Sequence, residues 1–201
     1  MQLHKRDVVE AATKLLDSYG IADLTMRRLA RELEVSPGAL YWHFANKQEL
    51  LGAVADRILR PAGTETAALG WHDRIHGICA ALRDALLSHT DGAELVSSSF
   101  AAGQSVLAAE IVARLADAAR DAGVAAQDAE PAARTVMYYV LGFTVDEQSR
   151  LQWDAAGALS DEQSVLMTDT GREFTFGLQL LVDGLAVHGG ADLDALQSNF
   201  E

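Results

Sequence analysis

Three prolines and a single cysteine in 201 residues leave this chain poor in helix breakers and in covalent staples. With Cys79 alone, no intramolecular disulfide can form and no zinc site can be assembled from several thiolates. Charge interrupts every apolar run before it reaches the ~18 residues of a membrane span. The stretch from Met1 to Asp7 also lacks the apolar region of a secretory leader. The expectation is a cytoplasmic protein with no membrane partner. No catalytic triad, phosphate-cradling glycine loop or paired-carboxylate site stands in a recognisable context, which argues against an enzyme. What the chain does have is Ala and Leu in abundance, with 49% apolar residues overall, and few breaks between them. That composition predicts an all-α fold.

Positive charge is scarce and unevenly placed. The chain carries 29 acidic and 16 basic residues, a net charge of -13. Residues 1–60 hold 9 Lys/Arg against 8 Asp/Glu, or +1, while the remaining 141 hold 7 against 21, or -14. All three lysines, Lys5, Lys14 and Lys47, fall in the first 47 residues. A near-neutral head on an acidic chain can approach phosphate and hints at nucleic acid, although chance in a low-lysine protein would give the same pattern.

Val8, Val9, Ala12, Leu15, Leu16 and Tyr19 recur at helical spacing and predict a helix from about His4 to Tyr19, stopped by Gly20. Thr25 can cap a short second helix ending near Leu33, with Leu29, Ala30 and Leu33 inward and Arg27, Arg28 and Arg31 outward. Ser36-Pro37 reads as an N-cap with proline at the first helical position, opening a third helix to about Phe44. Asn46 and Glu49 form a capping-box-like start for a fourth, stopped near Arg60-Pro61. Further helices are predicted at about 71–89, 93–100, 104–122, 128–152 and 171–188. A short one is suggested by Ser160-Asp161-Glu162 inside the connection from Gln152 to Thr170.

Two short helices joined by a tight turn at Glu34–Ser36, with a supporting helix before them, form a helix-turn-helix, whose last helix enters the DNA major groove. Val35, Leu40 and Phe44 are spaced to point inward, which leaves Gly38, Ala39, Tyr41, Trp42 and His43 outside or at the edge. Three adjacent large rings are costly to leave in water unless a partner covers them. Either Tyr41 or Trp42 could instead seal the junction with helix four.

The segment Leu24-Thr25-Met26-Arg27-Arg28-Leu29-Ala30, then Val35-Ser36-Pro37-Gly38-Ala39-Leu40-Tyr41-Trp42-His43-Phe44 and Asn46-Lys47, resembles the DNA-binding head of the TetR family of bacterial repressors. Landmarks of the family's body are similar at Ala85–Ala93, Leu141-Gly142-Phe143, Phe176-Gly177-Leu178 and Gly184-Leu185. The resemblance implies a helix-turn-helix domain over 1–46, a connecting helix four over 47–70 and an effector-binding and dimerisation domain over 71–201. It makes Arg27 a base-contacting arginine, Thr25 and Lys47 phosphate contacts, and Tyr41 and His43 contacts to backbone or base edges. Arg28 and Trp42 join them on the DNA-facing surface. Pro37, Gly38 and Ala39 offer only apolar contact and close approach, so the operator is expected to be read by Arg27, by methyl contacts and by DNA shape.

The same resemblance implies a homodimer released from a palindromic operator by a small molecule. Helices at about 128–152 and 171–188 are apolar around much of their circumference, at Val136 to Leu141 and at Phe174, Phe176, Leu178 and Leu180 to Val182. That pattern fits a partner helix pair, or else a central place in the monomer. Drug-binding members of the family hold tetracycline through magnesium and histidine ligands. Here the matching positions are Gly63 and Val96, with Ile78 in place of a gripping asparagine. The expected pocket, lined by Ile78, Leu82, Val96, Phe100, Val112 and Met137 with Asp146 at its edge, suits a lipophilic or aromatic effector and implies no cofactor. Plain core is the alternative for each of these residues. His72, His76 and Cys79 share a helix face at i, i+4 and i+7 and form a marginal metal candidate; a small core thiol and two surface histidines explain them more simply. Two alternatives stand beside the repressor: a helical small-molecule-binding or metal-sensing protein whose head has another partner, and an all-α enzyme.

Overall fold

The computed structural model describes residues 3–63, 70–160, 164 and 169–190, and every regular element among them is helical. In chain order these are α1 (Lys5–Asp23), α2 (Met26–Glu32), α3 (Pro37–Tyr41), α4 (Lys47–Leu59) and a 3-10 turn at Arg60–Gly63. They are followed by α5 (Trp71–Leu87), α6 (Gly92–Ala101), α7 (Val106–Asp121), α8 (Ala126–Ala155) and α9 (Thr170–His188). The all-α expectation therefore holds. No single helix among the described residues is long and apolar enough to cross a membrane. The suggested helix start at Ser160-Asp161-Glu162 falls largely outside the described residues, and Ser160 itself is in no helix.

The chain forms two compact units, one of Met1–Gly63 with Asp84–Ala109 and the other of Thr64–Arg83 with Glu110–Glu201. In the first, α1 packs on α2 and α4, α2 on α3, and α4 on α6. Leu16, Leu29, Leu40 and Val54 are wholly buried between them. Helix one breaks at Gly20 as its sequence predicts, with φ 77° and ψ 174°, and then adds one further turn to Asp23. The break frees the Ile21 N–H, which donates to Asp91 Oδ2 at 2.8 Å. Next to it the Thr90 hydroxyl donates to the Asp17 carbonyl at 3.0 Å, and His89 Nδ1 lies 3.0 Å from the Asp17 carboxylate. A second tie fixes α4. Asp56 Oδ1 accepts from the Ser105 hydroxyl at 2.6 Å and from the Leu107 N–H at 3.0 Å, which satisfies donors at the start of α7. Gly52 meets the Gln104 carbonyl so closely that any side chain there would collide.

The second unit is built on α8 against α9. Val136, Met137, Val140 and Leu141 face Phe174, Leu178 and Val182 in a dry core. The Tyr139 hydroxyl donates to the Phe174 carbonyl at 2.8 Å, and its ring stacks on Phe174 at 5.6 Å, with Phe143 edge-on at 5.4 Å. A side chain at Gly177 would strike the Tyr139 ring, so the glycine sets how closely these helices approach. The most buried ion pair of this unit among the described residues is Arg83–Glu147, in which Arg83 Nε and Nη2 donate to the two Glu147 oxygens at 2.8 and 2.5 Å. Removing one partner of such a buried pair strands the other charge, which costs far more than the pair itself contributes.

Gly20→Ala should destabilise the first unit by about 1–2 kcal/mol, because a side chain is strained at φ 77° and would also meet the Asp91 carboxylate. Urea unfolding of the full chain, followed by circular dichroism, should show the midpoint fall; an unchanged midpoint would contradict the assigned strain.

Candidate nucleic-acid interface

Three caps build the head. Thr25 is extended, and its Oγ1 accepts from the Arg28 N–H at 3.2 Å; Ser36 Oγ accepts from the Ala39 N–H at 3.3 Å; Asn46 Oδ1 accepts from the Glu49 N–H at 2.9 Å. Between α2 and α3 the chain turns through Glu34 in the left-handed region at φ 54°, and the Val35 N–H closes on the Ala30 carbonyl at 2.9 Å. Pro37 starts α3 where no N–H is needed. The helix is shorter than its sequence suggests. It stops at Tyr41, because the His43 and Phe44 N–H groups both turn back to the Leu40 carbonyl at 2.9 and 3.0 Å. That tightening swings Phe44 into the core beside Leu40.

The same turn throws the other rings outward. Trp42 is 91% exposed and Tyr41 52%, with His43 half-buried beside them, so neither Tyr41 nor Trp42 seals the junction with α4. Arg27, Thr25, Pro37 and Gly38 are exposed, and Ala39 is half-buried. Lys47, at the first position of α4, adds a cation where helix N–H groups point outward. Arg28 is different. Its guanidinium is paired with Asp23 and lies 3.8 Å over the Tyr19 ring. Val35, expected inward, is only half-buried because it sits in the turn rather than on α3. The helix-turn-helix presents donors, Arg27 on α2 and apolar rings on and just after α3, suited to phosphates, sugars and base edges together.

Comparison with known proteins identifies the family. The family described as "Bacterial regulatory proteins, tetR family" matches residues 8–54, and "Tetracyclin repressor-like, C-terminal domain" matches residues 65–159. The tetracycline repressor protein class E of Escherichia coli is 32% identical over 191 residues, covering 90% of this chain and 89% of that protein. The chain belongs to the TetR family. Among solved structures, Mycobacterium smegmatis BioQ is 73% identical with a TM-score of 0.88, covering 93% of this chain and 99% of that one. A BioQ bound to its natural double-stranded DNA operator is 70% identical with a TM-score of 0.83, covering 93% and 100%. TetR proteins are transcriptional regulators rather than enzymes, with a helix-turn-helix head and a helical ligand-binding body.

Of the residues expected to line a TetR effector pocket, Ile78, Leu82, Val96, Val112 and Met137 are all buried, and Phe100 is half-buried. Asp146 is exposed, and the inward carboxylate is its neighbour Glu147. The stripe Met137, Val140, Leu141, Thr144 recurs at three and four residues and continues to 147 and 148, so counting the helical period would have selected Glu147. Its partner Arg83, 64 residues away, left no local signal.

The His72 and His76 rings lie 4.6 Å apart, tilted by 35°, and Gln179 Nε2 lies 3.4 Å from His72 Nε2 and donates to Asp183 at 2.7 Å. Cys79 is sealed in the core, and burial pushes its thiol up to about 12, far from the thiolate a metal needs. No group of three His, Cys, Asp or Glu among the described residues is arranged to hold a metal ion. Burial, followed by the neighbouring His72, holds His76 below the ordinary imidazole value of 6.5. The unfolded chain thus takes up this proton more readily than the folded one, so the stability from neutral His76 is complete above pH 6.5 and declines as pH falls through that value. Melting temperature should drop from about pH 7 to about pH 5.5, and His76→Leu should flatten the drop. Identical slopes in the two proteins would refute the assignment.

Proposed function

We propose that the chain is a homodimeric, ligand-responsive transcriptional repressor that binds a palindromic operator through α3 and leaves it when a small lipophilic or aromatic effector binds. The observation that carries the reading is the outward set Arg27, Tyr41, Trp42, His43 and Lys47 on a capped helix-turn-helix. Arg27 reads guanine, Thr25 and Lys47 hold phosphates, the rings lie on sugars and methyls, and Pro37, Gly38 and Ala39 allow close approach. On this reading the head spans 1–46, a connecting segment that includes α4 spans 47–70 and the body 71–201, and the protein acts in the cytoplasm.

Dimerisation is supported by a second apolar stripe on α8 and α9, opposite their shared core. Tyr138, Phe176, Leu180 and Val187 are each more than half exposed, at helical spacing with Gly142 and Gly184. A side chain at either glycine would meet open space, so both leave room for a partner's helices. Two copies joined here supply the paired heads that must sit ~34–36 Å apart to enter successive major grooves. The effector reading rests on the buried apolar residues Ile78, Leu82, Val112 and Met137 of the second unit. It also rests on Gly63, Val96 and Ile78 standing where tetracycline-binding relatives carry polar ligands. An effector releases the operator only by binding one head-to-head spacing more tightly than another.

In electrophoretic shifts with duplexes selected from genomic fragments, Arg27→Ala should weaken binding about tenfold or more. Lys47→Ala should weaken it and make the slope of log affinity against log salt shallower by about 0.9. A wild type that selects no duplex, or variants that bind like it, would defeat the repressor reading. Gly142→Leu with Gly184→Leu should give a helical monomer in analytical ultracentrifugation and cost about hundredfold or more in operator affinity. A dimer of unchanged strength would refute the proposed interface.

A further inference from the structure

The five residues Trp42–Asn46, which carry the most exposed ring of the head, belong to neither α3 nor α4. On the α3 side the His43 and Phe44 N–H groups close on Leu40. On the α4 side the Ala45 N–H donates to Glu49 Oε2 at 2.8 Å. The other Glu49 oxygen, Oε1, accepts from Lys5 Nζ at 3.1 Å, and the same ammonium lies 4.7 Å from the centre of the Phe44 ring. Lys5 thus touches the anchor ring of the segment and the carboxylate that ties its backbone, from a helix 44 residues away from Glu49 in sequence.

Lys5 and Glu49 are 57% and 38% exposed, and an ion pair so open to water adds little to stability. What it can do is choose one position for a segment that would otherwise have several. Among the nine Lys/Arg of residues 1–60, Lys5 would ordinarily be counted as a phosphate ligand. Here its ammonium contacts Glu49 and lies over the Phe44 ring.

We propose that Lys5 is a positioning residue for operator reading, clasping Phe44 and Glu49 so that Trp42, His43 and Lys47 meet the duplex in one geometry. The inference rests on the DNA-binding reading above. Positioning affects the specific complex, whereas a phosphate contact affects all DNA alike.

The test uses the full-length dimer, the duplex that the wild type selects, and a random-sequence duplex of equal length, at several salt concentrations. Lys5→Met should weaken operator binding about two- to fivefold, leave random-duplex affinity unchanged and keep both salt slopes. Lys5→Arg, which retains the ion pair and the cation over the ring, should restore wild-type selectivity. Glu49→Gln is the sharper arm. It removes a negative charge from a DNA-facing head, so simple electrostatics predicts tighter binding, whereas loss of the clasp predicts weaker operator binding. In a double-mutant cycle the two losses should be strongly non-additive.

Parallel weakening on both duplexes, with a salt slope shallower by about 0.9 for Lys5→Met, would overturn the proposal in favour of a phosphate contact. Tighter operator binding by Glu49→Gln, or unchanged selectivity in both variants, would also overturn it. A wild type that selects no duplex overturns the DNA-binding reading as well, which separates the two failures.

Discussion

Burial of Leu40 and Phe44 is the constraint on which the head depends. Both side chains are almost completely removed from water, one from the last turn of α3 and one from just beyond it. Because Phe44 must reach the core, the chain after Tyr41 cannot continue as an ideal helix, and the Leu40 carbonyl accepts two N–H groups instead of one. The exposure of Trp42 and Tyr41 is the other side of that packing. Residues adjacent to a buried ring on so tight a turn have nowhere to go but outward. Hydrophobic burial thereby costs the head an exposed aromatic surface, which is unfavourable in water.

Electrostatics play a smaller part than in many nucleic-acid-binding proteins. A head of near-zero net charge on a strongly acidic chain cannot rely on long-range attraction to phosphate. Several of its cations are further spoken for, among them Arg28 by Asp23 and Tyr19, Lys5 by Glu49 and Phe44, and Lys14 by Glu10. Such a protein gains little from non-specific binding, and its discrimination rests on how exactly a few groups are held. The caps at Thr25, Ser36 and Asn46, which cost almost no sequence, supply much of that rigidity.

What was legible in the sequence was whatever local chemistry decides. The caps, the proline at the start of α3, the break at Gly20 and the inward Leu40 and Phe44 all follow from spacing and side-chain type. The illegible parts depend on contacts between distant residues. Helix three looked continuous to Phe44 because no local signal announces the double turn at Leu40. Arg28 looked like a free cation because its captors are Asp23 and a ring on α1. The ties of Asp91 to Ile21 and of Asp56 to Ser105 span about 50 to 70 residues, and α6 falls in the same compact unit as the head. Asp146 is a different kind of miss, since the helical period itself points to Glu147.

The buried state of Cys79 has a practical corollary. It is the chain's only sulfhydryl, it is closed off from solvent, and its proton is held far above neutral pH. Thiol-directed reagents added to the folded protein find nothing to attack, and two copies cannot be joined by oxidation at this position. The natural sequence is therefore already a silent background for labelling: one cysteine introduced on the outer side of a head carries the only probe, and distances between heads can be measured without first removing a native thiol.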